Sequence, residues 1–445
     1  MERDYIFHEH TTSVCSFCKS KVNAKIIFKE NQVYIRKYCS DHKVHDELLE
    51  KDLSYFMRKR EYDKASTMIT YDTPMNKGCP FDCGLCPQHD QHTCIGLIEI
   101  TTRCNLTCEM CYAKSSEKPD LTLEEIEKML DYYQEAENNQ AEILQISGGE
   151  PTLHNNVIEV IKMAKDKKIK YVMLNTNGIR IAEDESFVKE LAQFKGGFEI
   201  YLQFDGVSSK TTLDHRHKDL NITKIKAIEN LIKYKIPVTL VVSVSESNQN
   251  EIGEIIKFAI DTPYIRGINF QPIAYYGDHT RPHNRMTLTG VLDAIENQTN
   301  KLILKDDFIP LPCNVERIAV TYMLKTKDGF IPALRYTDVK SYLPIIDNTL
   351  NFNMEEILNS NRQGIWGCSC FDDIKMLQKW VPKNFLLKPK EEKLKFVDEN
   401  TFRMTISSFV DQYNFDMKSV QKECVHIITK DLKRIPFSMY NMFYR

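Results

Sequence analysis

Short apolar runs alternate with amphipathic segments between residues 96 and 285, and this alternation is the feature that most constrains the fold. Each run has the length of a buried strand, and apolar residues recur at helical spacing in the segments between them. Thr122 and Glu125 have the spacing of a capping box at the start of the first such segment. Strands that alternate with helices form parallel sheets with right-handed crossovers. Six units predict an α/β fold, a partial (β/α)6 barrel with strands at 96–100, 143–147, 171–175, 198–204, 238–244 and 268–272 and helices at 121–134, 157–168, 185–194, 222–234 and 251–259.

The chain has 14 cysteines among 445 residues, and they are clustered. A protein of this length buries enough surface to need no disulfides for stability. The net charge of −3 predicts no general nucleic-acid binding. The charged N-terminal segment and the absence of a long apolar run favour a cytoplasmic protein without a membrane span.

Clustered cysteines in a reducing compartment are typical metal ligands. Their distribution divides the chain into three parts. We expect a cysteine-rich metal-binding extension at 1–95, the core barrel at 96–285, and a C-terminal α+β region at 286–445 that carries an auxiliary cluster and covers the substrate.

Cys104, Cys108 and Cys111 form a C-x3-C-x2-C motif directly after the first predicted strand. Three thiolates on one loop bind three irons of a 4Fe–4S cube and leave the fourth iron open to a small chelating ligand. A zinc loop with a distant fourth ligand, or buried thiols without metal, is the alternative at this spacing. The motif falls at the C-terminal end of a strand, where parallel barrels place their chemistry.

This motif, followed by an aromatic residue, resembles the radical S-adenosylmethionine (SAM) superfamily. The second predicted strand ends in Ser-Gly-Gly-Glu-Pro, which resembles the GGEP motif of that family, and its glycines would let the backbone approach a ligand closely. Polar residues end the later strands on the same rim. The resemblance implies that SAM is bound by Tyr112, Gly148, Gly149, Glu150, Pro151, Asn175, Asn177, Gln203, Asp205, Ser243 and Gln271.

The resemblance also implies a TIM-like radical SAM barrel and a mechanism. SAM would chelate the open iron, and one electron from the cluster would cleave its C–S bond. The resulting 5′-deoxyadenosyl radical would abstract hydrogen from an unactivated C–H bond, while the protein orients the reactants and excludes water. A flavodoxin or ferredoxin is the expected electron donor.

A second C-x3-C-x2-C motif precedes the barrel, at Cys79, Cys83 and Cys86, with Cys94 shortly after it. Four thiolates at this place would complete an auxiliary 4Fe–4S cluster. Zinc is the alternative, because four cysteines also form structural zinc sites.

Cys15, Cys18, Cys39 and His42 form a CxxC…CxxH pattern around two predicted strands, 22–28 and 32–38. This spacing is typical of a mononuclear tetrahedral metal site. Zinc is the default metal and rubredoxin-like iron is the alternative. His45 is close enough in sequence to compete with His42 as the fourth ligand.

The order of these motifs resembles one branch of the superfamily, which contains the archaeal tetraether lipid synthase and methyltransferases acting on pterin precursors. C-terminal blocks resemble the same branch. The chain also departs from it, because Arg317 lies near a usual cysteine position and Ser438 occupies another.

Four cysteines in the C-terminal part, Cys313, Cys368, Cys370 and Cys424, would together ligate a second auxiliary 4Fe–4S cluster. Buried structural cysteines are the alternative, since free cysteine is among the most buried residue types.

The branch leads to two hypotheses for the reaction. The first is C–C bond formation on a lipid or isoprenoid chain, which would bring the enzyme into peripheral contact with a membrane. The second is C-methylation of a small heterocycle such as a pterin, with a folate-like methylene donor. A long apolar tunnel would favour the first, and a compact polar pocket the second. A peptide substrate and a non-catalytic metal-stabilised binding protein are further alternatives.

The run of residues 215–218, His-Arg-His-Lys, follows the fourth predicted strand. Its positive charge would suit contact with an anionic substrate, but it is also typical of a solvated loop. We expect a solvated loop at 215–218.

Overall fold

A computed structural model of the chain describes residues 3–66, 68–108, 110–113, 116, 118–276, 284–326, 329–336, 339–343, 388–389, 392, 396 and 399–445. Cys368 and Cys370 lie outside these residues.

The N-terminal region is an antiparallel sheet in which Ala24, Ile26, Val33 and Ile35 pack against Phe56. Its central pair of strands is the predicted hairpin. The outer two strands were not predicted, because charged and polar residues interrupt their apolar alternation. The strands, in spatial order, are β1 (Ile6–Val14), β2 (Lys21–Lys29), β3 (Gln32–Cys39) and β4 (Lys43–Glu50).

Six parallel strands, adjacent in the order of the chain, form the centre of the second sheet. All six predicted strands are present, and the second and fifth have the predicted bounds. The sheet does not close on itself, so the prediction of an open, partial barrel is confirmed. The strands are β5 (Ile95–Glu99), β6 (Ile143–Ser147), β7 (Tyr171–Thr176), β8 (Phe198–Gln203), β9 (Val238–Val244) and β10 (Ile265–Pro272).

Strands from the C-terminal region extend this sheet at both edges. One of them pairs in parallel with β10 and another in parallel with β5. The core and the C-terminal region therefore share one sheet, and the division at residue 286 stays a prediction. The added strands are β11 (Ile309–Pro310), β12 (Ile318–Thr326), β13 (Gly329–Pro332), β14 (Thr401–Ser407), β15 (Val425–Ile428) and β16 (Arg434–Pro436).

Helices connect the parallel strands, and the longest of them begins with the predicted capping box. Thr122 Oγ1 accepts from Glu125 N at 3.2 Å, and Glu125 Oε2 accepts from Thr122 N at 2.9 Å. None of the described helices is both long and apolar enough to cross a lipid bilayer. The helices are α1 (Leu53–Lys59), α2 (Leu123–Ala136), α3 (Val157–Asp166), α4 (Ile179–Glu183), α5 (Glu185–Leu191), α6 (Ser209–Arg216), α7 (Asn221–Lys233), α8 (Ile252–Asp261), α9 (Leu288–Gln298), α10 (Val339–Tyr342), α11 (Met417–Gln421) and α12 (Phe437–Met439).

The two faces of the barrel sheet differ in polarity, because side chains alternate along each strand. Outward side chains such as Ile146, Leu174 and Val242 pack against the helices in the main hydrophobic core. The inner face instead carries polar side chains such as Gln145 and Asn269. The same face also carries a smaller apolar cluster around Met173, so the lumen is partly packed core and partly polar surface.

Candidate active site and metal centres

The loop that carries Cys104, Cys108 and Cys111 lies at the C-terminal end of β5, as predicted, and the three cysteines are half buried. Leu106 anchors the loop by packing against Ile179 at the start of α4. Burial raises the pKa of the Cys104 thiol to about 11, and a bound metal would reverse this effect because metals bind the thiolate. Three soft donors on one half-buried loop fit the iron–sulfur group that the sequence predicts.

The Gly148-Gly149-Glu150 segment docks on the backbone of this loop. Gly149 N donates to Thr101 O at 2.8 Å, and Glu150 N donates to Arg103 O at 2.8 Å. A Cβ at Gly149 would lie 2.2 Å from Arg103 O, so only glycine permits this approach. The glycines let one loop pack on another, and close approach of their backbone to SAM stays a prediction.

Glu150 is buried, and its carboxylate ties the ends of two strands together. Oε1 accepts from Thr152 N at 3.1 Å and from Thr176 Oγ1 at 2.7 Å, and Oε2 accepts from Asn177 N at 2.7 Å. Pro151 begins the turn that follows. These bonds hold the end of β6 against the end of β7. Binding of the SAM amino group by Glu150 stays a prediction.

Replacing Gly149 with alanine is expected to displace the cysteine loop, because the added Cβ overlaps backbone atoms that cannot move cheaply. We expect the loss of about one cluster of iron and at least about tenfold slower 5′-deoxyadenosine formation, equivalent to 1.4 kcal/mol or more in the barrier. Iron analysis and chromatography of anaerobic protein measure both. Gly196→Ala is the control, since its added Cβ meets nothing within 4 Å and the positive φ of 68° adds backbone strain without a clash. Equal losses in both variants would contradict the steric explanation.

Polar side chains at the ends of β7 and β10 face the cysteine loop and the lumen. Asn177 Nδ2 donates to Asn105 Oδ1, on the cysteine loop, at 2.7 Å. Asn175 Nδ2 donates to Gln145 Oε1 at 3.2 Å, and the buried Oδ1 of Asn175 has no hydrogen-bond partner among the described residues. Gln271 lines the cavity described below. The rim that we predicted from strand ends is therefore contiguous with the lumen.

Asp205 is fully buried and forms a two-pronged ion pair with Arg216, with N–O distances of 2.6 and 2.9 Å. Ser243 N also donates to this carboxylate, at 3.1 Å. Burial acts to raise the pKa of Asp205, but the Arg216 guanidinium outweighs it and holds that pKa well below its usual range. The charge of Cys108 also acts on Arg216 and raises its pKa, so the guanidinium lies near the cysteine loop. Asp205 thus positions a cation beside the cysteine loop, and its contact with SAM or substrate stays a prediction.

Arg216 ends helix α6, so the prediction of a solvated loop at 215–218 is wrong for its first two residues. The Arg216 side chain is 14% exposed and that of His215 is 3% exposed. His215 Nε2 lies 2.8 Å from Ser245 Oγ. A charged run in the sequence did not reveal that two of its members point inward.

Lys224 is a further buried cation that the sequence analysis missed. Its Nζ donates to Gln203 Oε1 at 2.7 Å and to Asn177 O at 2.5 Å. Burial lowers its pKa to about 7. A signal was present, because Lys224 lies on the apolar stripe of α7 with Ala227 and Leu231 at helical spacing.

Tyr112, the aromatic residue after the motif, contacts the end of the chain on one side and stays partly exposed. Its ring packs edge-on against Tyr276 and Phe437, with centroid distances of 5.8 and 5.3 Å. The Arg445 guanidinium lies 5.5 Å from the same ring and pairs with Glu99. The C-terminal region thus closes over one side of the cysteine loop.

Cys79, Cys83 and Cys86 converge on a cleft that encloses about 270 Å³ of space. Asp82 shapes this loop by accepting from the backbone N–H groups of residues 76, 77 and 78 at 2.5–2.7 Å. Burial raises the pKa of Cys79 to about 12. Three soft donors around a cleft fit an auxiliary metal group.

Cys94 lies with a different set of cysteines, which corrects the ligand set predicted for the second loop. Its sulfur is within 4.8 Å of those of Cys313 and Cys424, all three buried. The cause is the pairing of β15 with β5, because Cys94 N donates to Cys424 O at 3.0 Å just before the two strands begin. Cys368 and Cys370, which we predicted to bind a cluster together with Cys313 and Cys424, lie outside the described residues.

The ribbon cysteines lie together as predicted, and His42 rather than His45 completes their close group. Cys15 Sγ and Cys39 Sγ are each 3.6 Å from His42 Nδ1, and Cys18 Sγ is 3.9 Å from Cys39 Sγ. This spacing fits one tetrahedral metal ion.

A cavity that encloses about 550 Å³, including its opening, lies between the lumen and the C-terminal region. Most of the residues that line it have polar side chains, with Gln145, Tyr201, Asn269 and Gln271 on the barrel side and Asn314, Arg317, Glu423 and Ser438 on the C-terminal side. The surface that these residues and their apolar neighbours, such as Ile95, Phe409 and Val425, present to the cavity is nevertheless more apolar than polar. The cavity is therefore a compact pocket of mixed polarity, not a long apolar tunnel.

Comparison with known proteins gives matches to two families and to relatives of named activity. Residues 98–259 match the Radical SAM superfamily, and residues 7–51 match the HMPTM N-terminal zinc ribbon domain. A Methanocaldococcus jannaschii protein named 7,8-dihydro-6-hydroxymethylpterin dimethyltransferase is 31% identical over 98% of this chain and 94% of its own length. A probable GTP 3′,8-cyclase of Thermococcus kodakarensis is 29% identical over 37% of this chain and 52% of its own length.

Among solved structures, Streptococcus suis SuiB bound to S-adenosylmethionine aligns with a TM-score of 0.42 and 19% identity, over 48% of each chain.

Family membership rests on the extent of the similarity. The family match covers the barrel and its cysteine loop, and identity to the Methanocaldococcus protein extends through the regions on both sides. The open parallel barrel and its strand-end loops have the architecture expected from that match. This chain is therefore an enzyme of the radical SAM superfamily.

Proposed function

We propose that this enzyme methylates a carbon atom of a small nitrogen heterocycle of the pterin class, bound in the cavity between the lumen and the C-terminal region. The observation that carries the proposal is a pair of buried hydrogen-bond acceptors on residues that line the cavity. Asn269 Oδ1 and Asn314 Oδ1 have no hydrogen-bond partner among the described residues. Glu423 Oε2 has none there either, and burial raises the pKa of Glu423 to about 8, which favours the protonated, donating form of this carboxyl at neutral pH.

Unpartnered buried acceptors favour a ligand that brings N–H groups. A buried polar atom without a partner costs about 1–3 kcal/mol, which a donor on the ligand would recover. A pterin offers ring N–H and amino donors along one edge, whereas an alkyl chain offers none.

Two further facts favour the heterocycle over the lipid chain of our first hypothesis. The buried guanidinium of Arg317 lines the cavity, and an apolar chain would leave it without solvent. The Methanocaldococcus relative, which aligns with this chain over nearly its whole length, is named as a pterin dimethyltransferase. The lipid activity gains no such support.

The residues of this chain would position the reactants and exclude water. When bound at Cys104, Cys108 and Cys111, a 4Fe–4S cluster supplies the electron that splits SAM into methionine and a 5′-deoxyadenosyl radical. Gln271 lies on both the strand-end rim and the cavity wall, so it connects the cosubstrate side with the heterocycle. Phe409 covers the cavity from the C-terminal side. A low-potential reductant of the flavodoxin or ferredoxin type would deliver the electrons.

The test is substrate-stimulated cleavage of SAM. Anaerobic enzyme, SAM and reductant are incubated with 7,8-dihydro-6-hydroxymethylpterin, with a glycerolipid, or with neither, in the presence of a small-molecule cell extract as the one-carbon source. We expect the pterin to raise 5′-deoxyadenosine formation and to gain one CH₂ mass per methyl group. Stimulation and product from the lipid arm alone would overturn the proposal.

Replacing Asn269 with leucine is expected to weaken binding of the pterin by about fivefold to tenfold, because it removes one acceptor worth about 1 kcal/mol. Anaerobic fluorescence titration of 7,8-dihydro-6-hydroxymethylpterin measures the change. The control is Asn230→Leu, since Asn230 lies on α7 and donates to Ile181 O at 2.9 Å, away from the cavity. Equal affinity of Asn269→Leu and the wild type would contradict the assigned binding position.

A further inference from the structure

Two groups of metal-binding side chains differ from the other cysteine clusters of the described residues, because all their ligand atoms lie within 4.8 Å of one another. In the ribbon, Cys18 Sγ and Cys39 Sγ are 3.9 Å apart. In the second group, Cys313 Sγ and Cys424 Sγ are 3.8 Å apart. The second group is the buried trio, defined as Cys94, Cys313 and Cys424.

The separation of the sulfur atoms indicates how many metal ions they share. Thiolates bound at about 2.3 Å to one tetrahedral ion lie about 3.8 Å apart. Thiolates on different irons of a cubane point away from one another and lie roughly 6 Å apart. The two C-x3-C-x2-C loops do not form such close groups among the described residues. The buried trio has the spacing of the mononuclear ribbon site, not that expected for a cubane.

A histidine lies beside the trio. His92 Nε2 is 3.8 Å from Cys94 Sγ but is not within 4.8 Å of all three sulfurs, so its ring would move closer to bind the same ion. Its other ring nitrogen, Nδ1, is 3.1 Å from Glu137 Oε2. Glu137 is itself fixed by Arg434, whose Nη1 lies 2.7 Å from Oε1. A carboxylate on the far nitrogen is the usual partner of a metal-binding histidine, since it fixes the tautomer and the ring orientation.

Arg317, which lies near the position of a usual cysteine of the branch, is directed elsewhere. Its Nε donates to Ser419 Oγ at 2.7 Å, and its Nη2 donates to Asn414 O at 3.0 Å. An arginine side chain carries only donors and offers no lone pair to a metal. The fourth ligand therefore has to come from another residue, and His92 is adjacent.

We propose that Cys94, Cys313, Cys424 and His92 form a second mononuclear tetrahedral site, for Zn²⁺ or a single iron ion, with Glu137 orienting the histidine. The site would join three segments that are distant in sequence, just before β5, between β11 and β12, and just before β15. Asn314 and Glu423, the chain neighbours of Cys313 and Cys424, line the cavity. The metal would thus hold the C-terminal wall of the cavity against the edge of the barrel.

Metal and sulfide analysis of the full-length protein, purified anaerobically, tests the number of ions. We expect Cys313→Ser to lose one zinc or iron atom and no acid-labile sulfide. Cys18→Ser is the matched control and should lose one atom from the ribbon in the same way. Loss of about four irons together with sulfide from Cys313→Ser would overturn the proposal, because that is the composition of a cubane.

Two further measurements identify the ligands and leave the three cysteines of the buried trio in place. X-ray absorption of the wild type should show two mononuclear ions with mixed sulfur and nitrogen ligands, and only one such ion would contradict the second site. Glu137→Gln should weaken one of them towards a chelator by about 10- to 100-fold, the usual effect of removing such a partner. If a Cys368→Ser/Cys370→Ser double variant loses this ion and His92→Ala keeps it, the assignment of His92 is wrong.

Discussion

Alanine in place of Cys108 is expected to abolish formation of 5′-deoxyadenosine from SAM. The thiolate is one of three ligands on a loop whose fourth iron corner must stay open, so no spare protein ligand is available to hold the cluster. The loop itself should persist, since Leu106 and the Gly149 contact anchor it independently of this thiol. Chromatography of the products under anaerobic reducing conditions measures the loss, and iron content should fall by about one cluster.

The control for this variant is Cys83→Ala, in the other C-x3-C-x2-C loop. We expect it to lose a similar amount of iron, because the two loops have the same ligand spacing. It should still produce some 5′-deoxyadenosine without substrate, because the electron that cleaves SAM would come from the cluster on the first loop, which this variant keeps. Cleavage of SAM by Cys108→Ala would show that the cosubstrate binds elsewhere, and unchanged iron in Cys83→Ala would show that the second loop holds zinc or no metal.

Replacing Asp205 with asparagine is expected to destabilise the barrel by about 3–5 kcal/mol, because it leaves the Arg216 guanidinium buried without a counter-charge. The same change should slow SAM cleavage, since Arg216 also interacts electrostatically with Cys108 on the cysteine loop. Urea titration with circular dichroism measures the apparent stability. Iron content measured in parallel shows why SAM cleavage is slower. Unchanged iron indicates a displaced Arg216, and lower iron indicates loss of the cluster.

The matched control is the ion pair of Lys257 and Asp261, which are 78% and 60% exposed. Asp261→Asn should cost less than about 1 kcal/mol, because water screens and replaces an exposed pair. In a double variant, Arg216→Gln should restore part of the stability lost in Asp205→Asn, since it removes the uncompensated charge. An Asp205→Asn variant as stable as Asp261→Asn would contradict the buried-pair interpretation.

The fold of the barrel was largely predictable because its signals are local. Strands that are buried on both faces form short apolar runs, and the helices between them carry apolar residues at a period near 3.6. Local signals located the start of one helix, at the capping box of Thr122, and both ends of β6 and β9 to the residue. The strands at the edges were missed, because β15 pairs with β5 across more than three hundred residues of sequence.

The residues of the candidate site also fall into those that a local pattern identifies and those that only the tertiary structure brings together. Ligand spacing within one loop is local, so Cys104, Cys108 and Cys111 were identified from the sequence. The grouping of Cys94 with Cys313 and Cys424 depends on strand pairing, so proximity in sequence to Cys86 was misleading. Arg216 and Lys224 were also missed, since a charged residue in the sequence does not show which way it faces.

The sequence alone determined the chemistry of this protein, because thiol spacing and strand-end residues are properties of short segments. Only the tertiary structure decided which cysteines share a metal and what the cavity accepts from a ligand. Those properties arise where β5, β10, β14 and β15 bring together segments that no local pattern connects. Hydrogen bonding between distant strands, and the burial that follows from it, is the physical reason for the difference.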